Sequence, residues 1–389
     1  MTPSIVLTGL DRTHEESLRE ALGGSPRKFF VRAQRIVWGI SQSDLIQVDV
    51  AKQCRELVRR YPETPASHLL DAYRLRAEES PAADEALARA RALAEGGHPL
   101  DFLLPSDDEW ACVVPEQKLH NVVPGRVWRV SANYPMRGCS LPSQSTSTII
   151  RSEKGELVIV NPLPYETGIR TEIDTLGPVT ALAVQGKAHS KHVESSAASF
   201  PGAKVFGSRG HLTHPPAAHL RFDSILAEGG PALSDEIEEI LVDGSALEEV
   251  LLLHRPSGLL IVQDIFAANL PNQKGRPFLG RLYYFSFGLI DRIGCLAYMP
   301  MMWSDLPRFQ SCLRRVLESG YRNVVGAHWG PKLLSEEQVE EFSGVLRWIV
   351  GLGDLAHKSL LARYFTAQPA FLRDLIRYKR SMRKAARSD

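Results

Sequence analysis

Two largely apolar runs, Glu249 to His254 and Leu259 to Asp264, lie on either side of Arg255-Pro256-Ser257-Gly258. Proline and glycine in so short a connection favour a reversal, so the runs read as an antiparallel hairpin. A second constraint is Val179 to Val184, whose continuous apolar side chains fit a strand buried on both faces of a sheet. A chain holding both features needs a layered α/β arrangement, and the remaining segments must supply the layers.

The alternation of elements does so. VWRVSANYP, STSTIIRS and ELVIVNP read as strands, and Thr171 to Leu176 as a short helix ended by Gly177 and Pro178 ahead of Val179. A helix from Lys191 to Phe200 and the strand AKVFG repeat the pattern, and Arg322 to Ala327 is a strand ending at His328. Ser335 to Val350 is amphipathic, with Ser335 placed to cap it and acidic residues in its first turn. Upstream, LIQVDVAKQCRELVRRY and DEALARARALAE have helical spacing broken by Pro62, Pro65 and Pro81. The texture turns from helical to β after PLDFLLPSDDEW, giving a helical extension (1–115), an α/β domain (116–350) and a helical basic tail (351–389).

Charge narrows the function classes. Lys and Arg total 46 against 45 Asp and Glu, so no global field favours nucleic acid or acidic lipid, and no sequence-specific nucleic-acid partner is expected. The cluster from Arg373 to Arg387 is the exception, read as a solvated helical tail that folding does not require, with contact to phosphates or another anionic partner as the alternative use of its charge. Five scattered cysteines without a C-x-x-C pair argue against a disulfide framework or a thiolate zinc site. With no signal-like start and no apolar run long enough to span a bilayer, a cytoplasmic protein without a transmembrane segment is expected.

Three polar side chains, His189, Asp264 and His328, fall at the C-terminal ends of apolar strands, where a layered α/β fold opens its crevice. His192 joins them because the spacing in H-S-K-H places both imidazoles on one side of a helix entry. Imidazole and carboxylate are the ligands that a divalent zinc, iron or manganese ion recruits. The other histidines fit less well: His254 lies at the opposite end of the hairpin, and His211, His214 and His219 share a proline-containing loop. No G-x-S-x-G elbow or phosphate loop occurs, and the aromatic stretch from Phe278 to Trp303 reads as core packing or an apolar lid.

AHSKH, SFPGAKVFGS, EEVLLLHRPSGLLIVQDIFAANL and VVGAHWG, with MRG, GELVIVNP and LGPVTALAV upstream, resemble a domain-of-unknown-function family of the metallo-β-lactamase-like superfamily. The resemblance covers a little over half the chain and implies an αββα sandwich preceded by the helical extension. It also implies a ligand pattern that this chain keeps in part. In the superfamily's H-x-H-x-D-H motif, His189 and His192 match the last two histidines, while Lys187 and Lys191 replace the first His and the Asp. A later ligand His is missing near Asp243-Gly244-Ser245, Asp264 matches the bridging carboxylate, and His328 matches the last His. The expectation is one divalent ion held by His189, His192, Asp264 and His328, with Asp264 and His328 also catalytic, in a hydrolase of a small ester or lactone-type substrate. A metal-free descendant stays open beside it: a lysine would pair with Asp264, and the fold would bind a small-molecule ligand or a protein partner.

Overall fold

The computed structural model describes residues 50–78, 80–95, 104–110, 117–135, 142–213, 217, 219–229, 233–269, 292–295 and 299–358, together with Phe29, Ala33 and Ile36. The basic cluster from Arg373 to Arg387, His214, Cys112, Cys139, MRG and most of the stretch from Phe278 to Trp303 lie outside the described residues.

Helices come first. α1 (Val50–Arg60), α2 (Pro65–Ala77) and α3 (Ala82–Ala94) follow one another, with Pro65 at the start of α2, where its missing N–H is no loss. A one-turn helix, α4 (Asp107–Trp110), precedes the first strand.

Seven strands then form one sheet in sequence order: β1 (Leu119–Val123), β2 (Val127–Pro135), β3 (Pro142–Arg151), β4 (Leu157–Val160), β5 (Val179–Val184), β6 (Lys204–Gly207) and β7 (Ser224–Ile225). The pairs from β1 to β4 are antiparallel, and those from β4 to β7 are parallel. Two helices, α5 (Thr167–Leu176) and α6 (Val193–Ser199), connect parallel strands. The second sheet has the order β13-β10-β9-β8, from β8 (Ile237–Leu241), β9 (Val250–His254), β10 (Leu259–Val262) and β13 (Asn323–Gly326). β9 and β10 form the expected hairpin, and β13 runs parallel to β10. A separate pair, β11 (Ala267–Asn269) with β12 (Arg292–Gly294), precedes α7 (Leu306–Glu318), and α8 (Glu336–Val350) follows β13.

Side-chain alternation shows why the central strands are apolar throughout. Val158, Val160, Ala181, Ala183, Val250, Leu252, Leu259 and Ile261 form one core between the sheets. Their neighbours Leu157, Ile159, Leu182 and Val184 pack with Ile169 and Ile173 of α5 and Val193 of α6. Leu251, Leu253, Leu260 and Val262 pack with Phe309 and Leu313 of α7 and Phe342 and Leu346 of α8. Strands buried on both faces cannot alternate apolar and polar residues. The result is helices, sheet, sheet, helices: the αββα sandwich.

Two local expectations are corrected. α5 begins at Thr167 and not Thr171, because Ile169 and Ile173, four apart, put one apolar stripe on the sheet. His189 and His192 do not share a helix. Lys187–His189 is its own 3-10 turn, and His192 is the residue before α6, at φ −110° and ψ 8°. The Ser335 cap is present with Gln338 completing a capping box. Among the described residues no helix is long and apolar enough to cross a membrane.

Candidate metal centre

Four strands point their C-terminal ends at one place. β4 leads into Asn161, β5 into the turn carrying His189, β10 into Gln263-Asp264, and β13 into Ala327-His328. His189 Nε2 lies 3.2 Å from Asp264 Oδ1, His328 Nε2 lies 3.1 Å from the same oxygen, and the two Nε2 atoms are 3.1 Å apart. Among the described residues these three make up the one group of three or more potential ligands within 4.8 Å of one another.

The second nitrogen of each ring fixes the chemistry of the first. Asn161 donates its amide N–H groups to Ser145 Oγ and the Thr146 carbonyl, so its Oδ1 is left to accept from His189 Nδ1 at 2.7 Å. His328 Nδ1 donates to the Gln144 carbonyl at 2.9 Å. Each Nδ1 therefore carries the hydrogen, and in the neutral ring each Nε2 turns a lone pair toward the other and toward a carboxylate oxygen. Three acceptors facing one point repel each other unless a cation sits among them. The size also fits: atoms 3.1–3.2 Å apart share a point about 1 Å off their plane that lies about 2.1 Å from each, a normal zinc–ligand distance.

Asp264 is held from behind. Both oxygens of the buried Glu249 accept from its turn, Oε1 from Asp264 N–H at 2.9 Å and Oε2 from Ile265 N–H at 3.2 Å. Burial raises the Glu249 carboxyl well above the usual carboxylate range, and the charge of Asp264 adds to this. Burial acts on Asp264 in the same direction, but when the His189 and His328 rings carry a second proton on Nε2 they outweigh it and hold its carboxyl well below that range. Gly186 lets this packing close, since a Cβ there would stand 2.8 Å from Glu249 Cγ and 2.9 Å from Gln263 Oε1.

The remaining candidates separate. His192 is not in the three-atom group; burial, with Lys191 and His189 adding to it, pushes its imidazole down to about 4. Lys187 Nζ lies 3.6 Å from Glu248 Oε2, so its ion pair is with Glu248 and not Asp264, and Lys191 is exposed. Glu248 also meets Arg209 at 3.4 Å, and Arg209 reaches Asp243 at 3.4 Å. Ion pairs thus join the two positions, Lys187 and Asp243, at or near which the resemblance expects further histidines. His254 is buried against Ser257 and Glu236, His211 packs on Phe222 beside Ser208, and His219 pairs with Glu194 at 3.8 Å on the surface. Asn161 and Glu249 were missed as site residues in the sequence. Asn161 had the same signal as the histidines, a polar residue ending an apolar strand. Glu249 is found only by register: Ile261 opposes Leu252, which sets Glu249 opposite Asp264.

No family model and no curated protein matches this chain. Solved structures do. A metallo-β-lactamase from Pontibacter korlensis is 14% identical, with 60% of this chain and 99% of that one covered and a TM-score of 0.41. The metallo-β-lactamase FIM-1 from Pseudomonas aeruginosa, in its mono-zinc form, is 9% identical over 61% and 97%, also at 0.41. A metallo-β-lactamase from Hirschia baltica is 12% identical over 60% and 98%, again at 0.41.

Proposed function

We propose that this chain is a metallo-β-lactamase-like protein that holds a single divalent ion, zinc, iron or manganese, and hydrolyses a small ester or lactone-type substrate. The observation that carries the proposal is the triangle of acceptors formed by His189 Nε2, His328 Nε2 and Asp264 Oδ1. When bound, such an ion supplies Lewis acidity for hydrolysis. The chain's own part is positioning: Asn161 and the Gln144 carbonyl set the two rings, and Glu249 fixes the turn that presents Asp264. Asp264 and His328 are the proposed catalytic residues, and the Lys187–Glu248–Arg209–Asp243 ion pairs favour one ion over two. The division into 1–115, 116–350 and 351–389 belongs to the same reading, as does a cytoplasmic location, which the free thiols of Cys54, Cys295 and Cys312 support.

The test is metal analysis of the purified full-length protein, followed by hydrolysis assays on a panel of small esters and lactones. Near-stoichiometric metal and turnover, both lost in Asp264→Asn, are expected. Protein that takes up no zinc, iron or manganese even after incubation with each would refute the reading. Metal binding without turnover on any member of the panel would leave the non-catalytic, ligand-binding alternative in its place.

A further inference from the structure

The Gly326–Gly330 segment, which carries His328, is gripped by the opposite sheet. Thr146 N–H donates to the Ala327 carbonyl at 2.6 Å, and Thr146 Oγ1 donates to the Trp329 carbonyl at 2.8 Å. Arg129, on β2, completes the grip, with Nη2 donating to the Gly326 carbonyl at 2.6 Å and Nη1 to the Gly330 carbonyl. The guanidinium therefore spans the two ends of the segment. Its side chain is wholly buried, and among the described residues its Nε–H has no acceptor and no carboxylate pairs with it.

A buried cation with two neutral acceptors is an expensive way to hold a loop, because desolvation of the charge is returned only in part by hydrogen bonds to carbonyls. Stability alone is served better by an apolar side chain of the same volume at this inter-sheet position. A guanidinium adds a planar fork whose two donors keep a fixed separation. Here that separation sets the distance between the carbonyls on either side of Ala327-His328-Trp329. Beyond the ligand set itself, and resting on the metal reading above, we infer that Arg129 is a positioning residue for the metal centre, setting the place of His328 Nε2 through the backbone of its loop.

The inference is tested by the sign of a change. Arg129→Met keeps the approximate volume and removes fork and charge, whereas Arg129→Lys keeps the charge and loses the fork. If Arg129 acted on the ion only as a nearby positive charge, Arg129→Met would bind zinc more tightly. If it only held the sheets together, zinc affinity of the folded variant would be unchanged while the thermal midpoint fell. A positioning role predicts weaker binding in Arg129→Met by roughly tenfold or more, the range seen when outer-shell partners of metal ligands are removed. Arg129→Lys should fall between that variant and wild type.

Zinc affinity would be measured by chelator competition on full-length protein with native circular dichroism, and cobalt substitution would report the ligand field. Expected with the weaker affinity is a visible cobalt spectrum altered from wild type in Arg129→Met and partly restored in Arg129→Lys. Should Arg129→Met fail to fold, Thr146→Val removes one donor of the same grip and is expected to shift affinity and spectrum in the same direction. Zinc affinity equal to or tighter than wild type in the folded variants, with an unchanged cobalt spectrum, overturns the inference and leaves the metal reading intact. Wild-type protein that binds neither zinc nor cobalt removes both.

Discussion

Asn161 occupies the left-handed region at φ 54°, where an asparagine is tolerated better than other side chains because its short amide bonds locally. Here the amide has a specific task, since its two donors are used on β3 and its oxygen is left for His189 Nδ1. Asn161→Ala removes the acceptor that orients the ring, and zinc affinity in a chelator competition should fall by about 10- to 100-fold. His192→Ala, outside the three-atom group, should stay close to wild type in the same assay. A comparable loss in His192→Ala would put that residue back among the ligands. The difference between the two histidines was not legible in H-S-K-H. Spacing of three places side chains together only if the backbone stays helical, and here it leaves the 3-10 turn before His192. His189, Asp264 and His328 were legible because each interrupts an apolar pattern where a strand leaves the core. Asn161 gives the same signal, but an amide is not a usual metal ligand.

At the scale of elements, the β9–β10 hairpin explains most of what could be read and what could not. Its two apolar runs and turn composition were sufficient for pairing, yet Glu249 and Asp264 sit just beyond the paired residues, and their relation depends on register. Gly186, at the end of β5, is closed against both Glu249 and Gln263. Gly186→Ala should therefore destabilise the fold by about 1–3 kcal/mol in denaturant unfolding, the usual range for forcing an extra carbon into a packed site. A variant as stable as wild type would mean that Glu249 can move without loss. The hairpin's other end makes a pH prediction. Burial holds the His254 imidazole below its ordinary range, with Glu236 opposing that shift. The unfolded chain then takes up a proton that the folded chain refuses, so stability falls as pH drops through the ordinary imidazole value. His254→Gln should flatten the dependence of unfolding free energy on pH between about pH 8 and 5. An unchanged slope would show that His254 binds its proton equally well in the folded and the unfolded chain.

The sandwich joins its two main sheets through side-chain packing, and the candidate metal centre lies across that join. His189 leaves β5 of the seven-stranded sheet, whereas Asp264 and His328 leave β10 and β13 of the four-stranded sheet. An ion bound by all three would tie the sheets at their C-terminal edge, and the unfolded chain has no such arrangement to offer. Binding to the folded state alone stabilises it by RT ln(1 + [L]/Kd), about 2.7 kcal/mol at a free-ion concentration 100 times Kd. For a domain of this size each kcal/mol moves the thermal midpoint by about 2–4 °C, so saturating zinc should raise it by roughly 5–10 °C. Asp264→Asn contributes a neutral amide in place of the carboxylate, and its midpoint should hardly respond to the same zinc concentration. The metal-free reading makes the opposite forecast: the three acceptors would share protons, Asp264→Asn would relieve a buried charge, and zinc would leave the wild-type midpoint where it was. Differential scanning calorimetry of the two proteins, with and without zinc at constant pH, separates these outcomes without a substrate in hand.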